Sequence, residues 1–158
     1  MQPGLMRQRE VRALFNTDTI TVYQAYSHEI ADRALEAGIF VPPFKPGRMT
    51  WIKPSFLWMM HRSGWATKPN QERILAIEIS REGFMWSLTH SCLSSYAANL
   101  FPSYETWRSQ LTAAPVRIQW DPDRDLHMRP QSERSIQIGL GIEASRLYVN
   151  NWINRIRD

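Results

Sequence analysis

Cysteine is almost absent: Cys92 is the only one in 158 residues, so no internal disulfide can form and a thiolate zinc site is excluded. A reducing cytoplasm is the compartment this usage suits. The seven glycines are scattered, and neither the Walker pattern nor GxGxxG occurs, which removes P-loop, kinase and Rossmann readings. His28, His61, His90 and His127 lack metal-ligand spacing, so no metal site is expected. No apolar run reaches the roughly 20 residues that span a bilayer, and "MQPGLMRQRE" lacks the apolar core of a secretory signal; no membrane partner is expected. Lysine is scarce too, since 16 of the 19 basic residues are arginine.

What is present describes a packed protein. An apolar fraction of 43% supports a core, and the length suits one domain over residues 1–158, with residues 1–9 as a flexible tail. The net charge of +4 and the arginine bias suit a phosphate-bearing partner, because the planar guanidinium fork matches phosphate and carboxylate.

Residues 18–26, "DTITVYQAY", alternate polar and apolar like a strand with two unlike faces. Ser27 offers a helix cap, Ile30, Ala31, Ala34 and Leu35 form one apolar stripe, and Gly38 ends the helix. "IFVPPFKPGR" holds three prolines and a glycine in ten residues and predicts an ordered loop. "MTWI" predicts a short strand, and Pro54 or Ser55 starts a largely buried helix that ends at Gly64.

"RILAIEIS", 73–80, is the clearest strand; helices follow at 83–96 and 103–111. "VRIQW" and "SIQIGL" alternate, with Arg117, Gln119, Ser135 and Gln137 on polar faces. "DPDRDLHMRPQSER" between them predicts a polar turn region, and Ala144, Leu147, Tyr148, Trp152 and Ile156 a terminal amphipathic helix. Strands and helices interleave without a βαβ rhythm, which predicts an α+β class: one domain, a mixed or antiparallel sheet flanked by helices.

"RMTWIKPSFLWMMHRSGW", 48–65, concentrates the chemistry. Trp51, Trp58 and Trp65 recur every seven residues, but Pro54 and Gly64 place them on different elements. Core packing accounts for Trp58. Arg48 and Lys53 need either water or an anion, and a helix start at Ser55 predicts an anion pocket. Glu78, inside an apolar strand, faces solvent at an edge or is partly buried with a cation. Cys92 lies two residues from His90, a spacing that points side chains apart on a helix, so it reads as a small buried residue.

"TVYQAYSHEIADRAL", "FVPPFKPGRMTWIKPSFLWMMHRSGWA", "QERILAIEISREGF", "VRIQWDPDRD" and "RSIQIGL" together resemble the family catalogued as domain of unknown function 4291, over nearly the whole chain. That resemblance implies no particular reaction. The order of "TVYQAYSHEIADRALEAGIF" and "RMTWIKPSFLWMM" is also similar to ADP-ribosyltransferase-like domains. This second likeness implies NAD as a substrate, with Tyr23 and Gln24 at the end of the first strand and Thr50, Trp51, Lys53 and Ser55 at the second strand and helix start. Arg48 and Lys53 would hold the pyrophosphate, and Tyr23 or Trp51 would stack on a ring. Gln137 stands where such domains carry a transition-state glutamate, so Glu78 or another acid would have to serve.

Three function classes fit these residues. The first is an NAD- or nucleotide-using enzyme acting on a nucleotide or nucleic acid. The second is a non-catalytic nucleotide- or nucleic-acid-binding module. The third is a protein-interaction domain with an aromatic surface.

Overall fold

The computed structural model describes residues 9–158, so the expected tail lies outside the described residues apart from Arg9, which is exposed. β1 (Thr19–Tyr26) sends Ile20, Val22 and Gln24 inward, as its alternation requires. α1 (His28–Ala37) is capped by Ser27 Oγ, which accepts from Ile30 N, and is closed by Gly38 at φ 72°. The proline-rich loop leads into β2 (Thr50–Ile52) and α2 (Phe56–Arg62). After these come β3 (Arg73–Ser80), α3 (Arg81–Thr89), β4 (Ser91–Leu93), α4 (Tyr104–Ala113), β5 (Val116–Arg124) and β6 (Pro130–Leu140). The chain closes with α5 (Ile142–Leu147), a π-helical turn (Tyr148–Trp152) and β7 (Ile153–Arg157).

The strands form two sheets among the described residues. One is antiparallel in the order β1-β3-β7; the other, β2-β6-β5-β4, is mixed because β4 and β5 run parallel. They meet where Tyr23 N donates to Lys53 O at 2.7 Å, so the end of β2 is pinned to the middle of β1. Val22, Leu75, Ile77 and Ile79 from the first sheet share one core with Ile52, Val116, Ile138 and Leu140 from the second. Each is fully buried, contributing at most about 1.5–3 kcal/mol. The class is α+β, as the sequence predicts.

Three expected elements differ. The helix expected over 83–96 is shorter: α3 stops at Thr89 and the chain turns into β4, where Cys92 pairs with Arg117. Cys92 is buried with Trp107 and Leu111, and Trp107 Nε1 donates to Leu93 O at 2.9 Å, so packing against α4 outweighs helix continuation. The polar turn expected between "VRIQW" and "SIQIGL" shrinks to residues 125–129. Asp125 accepts from the amides of His127 and Arg129, closing a tight hairpin whose arms extend the two strands. The terminal amphipathic helix breaks after Trp152, because β3 offers a free edge: Ile156 and Ile153 pair with Ile77 and Ile79 there. Gly83 allows this ending, since a Cβ on it would stand 2.4 Å from the Trp152 ring. No helix among the described residues is long and apolar enough to cross a membrane.

Candidate functional site

The pleat of β2 decides which side chains reach the site. Thr50 and Ile52 turn to the core, whereas Trp51 turns to the other face of its sheet, opposite Gly139 of β6. The indole lies directly on that glycine, where a Cβ would stand 2.9 Å from the ring. On the same face β5 and β6 place Gln119 opposite Gln137, and Asp121 opposite Ser135. Asp121 accepts from both amides: Gln119 Nε2 at 3.2 Å to each carboxylate oxygen, and Gln137 Nε2 at one of them.

This face forms one wall of a cavity of about 900 Å³. The proline-rich loop, the end of β1, α2 and the segment 69–71 form the others. Three cations lining it, Lys45, Arg48 and Arg62, are exposed, whereas the fourth, Lys53, is only 8% exposed. No Asp or Glu is among the described residues that line it.

Lys53 Nζ donates to Trp51 O at 3.1 Å and stands 6.0 Å from the centroid of the Trp58 ring. No carboxylate lies within ion-pair distance of it among the described residues. Burial, with a smaller contribution from Arg62, pushes its pKa down to about 8. A buried cation with an incomplete set of partners is unusual, because desolvation goes uncompensated. An anion in the cavity would supply the missing compensation.

Gln24 has a different part. Its Nε2 donates to Trp51 O at 3.1 Å and its Oε1 accepts from Tyr148 OH at 2.6 Å, so both ends of the amide have a partner. It fixes the Trp51 carbonyl that also receives Lys53. Thr50 Oγ1 shares a hydrogen bond with Ser145 Oγ at 3.0 Å, which anchors β2 to α5.

Six of the nine residues singled out from the sequence therefore come together at the cavity: Gln24, Arg48, Thr50, Trp51, Lys53 and Gln137. The other three are elsewhere. Tyr23 lies on the opposite face of β1, edge-on to Phe56 at 5.4 Å, with its pKa raised by burial. Ser55 caps α2 by accepting from Trp58 N and donates to Asp123 Oδ1 at 2.7 Å, so the helix start already has its partners. Glu78 shares the outward face of β3 with Thr21 and Arg155, and its Oε1 meets Arg157 Nη2 at 3.3 Å. Glu78, the acid considered for catalysis from the sequence, thus does not line the cavity that Gln137 lines.

Sequence reasoning missed Lys45, Gln71 and Asp121. The loop residues carry no periodic signal, whereas Asp121 was legible as the same-face neighbour of Gln119, two residues along one strand. Trp58 is both core and cavity wall, whereas Trp65 is exposed.

Fold and site together define an α+β protein in which two sheets share a core and a cavity, lined by cations and by no carboxylate among the described residues, opens beside their junction. The chain belongs to the family described as Domain of unknown function (DUF4291), whose model matches residues 10–158. A search of curated proteins returns no match.

Proposed function

We propose that the cavity binds the phosphates of a nucleotide or of a dinucleotide such as NAD. The observation that carries this reading is Lys53, a nearly buried cation without a carboxylate partner among the described residues, on the wall of a cavity that also carries Lys45, Arg48 and Arg62. A phosphate there would complete the hydrogen bonds of Lys53, and the exposed arginines would grip it bidentately. Trp51 and Trp58 supply aromatic surface for a base, and the volume exceeds what a mononucleotide fills. NAD enters through the similarity of the first strand, helix and second strand to ADP-ribosyltransferase-like domains. Transfer from NAD would need an anion near the ribose; no Asp or Glu is among the described residues that line the cavity, and the acid next to it is Asp121, which holds the two lining glutamine amides from behind.

A nucleic acid as the bearer of the phosphate has its own support. His61 on α2 has its pKa lowered by burial and by Arg124, Lys68 and Arg62, a cationic cluster continuous with the mouth through Arg62. Such a track fits a polyanionic chain.

The test is titration calorimetry of ADP, NAD and a short single-stranded RNA against the protein and its Lys53→Met variant, with nicotinamide release followed by chromatography. Binding below millimolar concentration that is lost in the variant supports the reading, and nicotinamide release adds catalysis to it. Absence of binding by all three ligands overturns it.

A further inference from the structure

The glutamine wall has a chemistry of its own. A carboxylate can only accept hydrogen bonds, so the Nε2 atoms of Gln119 and Gln137 face Asp121. Each amide is thereby fixed with its Oε1 directed away from Asp121. Neither Oε1 accepts a hydrogen bond from a described residue; Gln119 is an exposed residue, and Gln137 Oε1 is not among the buried atoms left without a partner. Gln119 and Gln137 are direct cross-strand partners and both line the cavity, so one wall carries two amides whose Nε2 atoms are taken by Asp121. The Trp51 indole lies over Gly139, one same-face position from Gln137 and about 7 Å along β6.

We infer that Gln119 and Gln137, held by Asp121, form a two-acceptor subsite that selects a nucleotide carrying an exocyclic –NH2 group, the adenine N6 amine or the nicotinamide carboxamide. This rests on the reading of the cavity as a phosphate site and specifies which base or amide accompanies the phosphate. The cations hold the anionic end, Trp51 stacks on the ring, and the paired carbonyls take the two amine hydrogens. A ligand with a carbonyl or carboxylate at that place sets oxygen against oxygen and leaves both glutamine carbonyls unpaired. Asp121 acts as a positioning residue, since without its charge either amide can turn and present a donor instead.

The experiment compares matched ligands by calorimetry: AMP against IMP, NAD against its deamidated analogue with a nicotinic acid ring, and inorganic pyrophosphate as the base-free probe. The expected result is at least about a tenfold preference for the amino member of one pair, the cost of facing unpaired polar groups. A preference for AMP assigns the subsite to adenine; a preference only for NAD assigns it to the carboxamide. Asp121→Asn should bring that ratio towards one while pyrophosphate affinity is kept. Gln119→Ala, a change at an exposed residue that folding tolerates, should reduce the ratio in the same way. Equal affinities within both pairs, or a ratio unchanged in both variants, overturn the inference and leave the phosphate site standing, provided pyrophosphate still binds. Loss of pyrophosphate binding in the wild-type protein removes the phosphate site and this inference with it.

Discussion

Replacing Lys53 with methionine should stabilise the ligand-free protein while removing its anion binding. A lysine whose ordinary value of 10.5 is pushed down to about 8 carries about 3 kcal/mol of burial cost while protonated, at about 1.4 kcal/mol per tenfold. Methionine fills nearly the same volume and loses the hydrogen bond to Trp51 O, worth about 1 kcal/mol, so the net gain is about 2 kcal/mol at pH 7. For a chain of this size that raises Tm by about 4–8 °C. The pH dependence supplies an internal control. Below pH 8 both the folded and the unfolded chain hold this proton, so the penalty is constant and fully present. Between pH 8 and 10.5 the unfolded chain holds the proton and the folded one releases it, so wild-type stability should rise across that window. Above 10.5 the penalty is gone. Urea unfolding of both proteins at pH 7, 8, 9 and 10 measures this directly. A Lys53→Met variant that is less stable at pH 7, or an equal slope in the two proteins, would refute the description of Lys53 as an uncompensated buried cation.

Binding of ADP should weaken as pH rises through about 8, because Lys53 loses the charge that meets the phosphate; calorimetry at pH 7 and 9 reads the difference. Gly139→Ala should cost about 1–3 kcal/mol and alter tryptophan fluorescence, since its Cβ would displace the Trp51 ring. Tyr148→Phe leaves the buried Gln24 carbonyl without its donor and should cost about 1–3 kcal/mol in urea unfolding. Glu78→Gln should leave ADP affinity unchanged within error, because its ion pair with Arg157 lies on the outward face of β3, away from the cavity.

The parts of this architecture that repeat with a short period were readable in the chain. Strand β3 falls on residues 73–80 as its alternation predicts, and Gln119 and Gln137 emerge on one polar face because their strands pair in register. Elements decided by distant partners were not readable. "INRIR" continues a helical stripe on paper and becomes β7 only because β3 has an open edge, a fact about residues some eighty positions away. The polar run after Trp120 reads as loop by composition, yet the hairpin stays paired through Arg124 because Asp125 closes its turn. At the site, Arg48, Trp51 and Lys53, singled out by the concentration of tryptophan and cations in 48–65, line one cavity. Ser55 does start the helix as the sequence predicts, but it is not among the lining residues, and its hydroxyl is taken by Asp123 from a strand 68 residues away. Glu78 stood out for its polarity within an apolar strand, and the pleat alone sends it outward to Arg157.

A crystal structure with ADP bound is the most direct measurement. A phosphate oxygen about 3 Å from Lys53 Nζ, with Arg48 or Arg62 at its flank and the base against Trp51, is the predicted result. Ordered ADP bound anywhere else, with the cavity left to solvent, would contradict it.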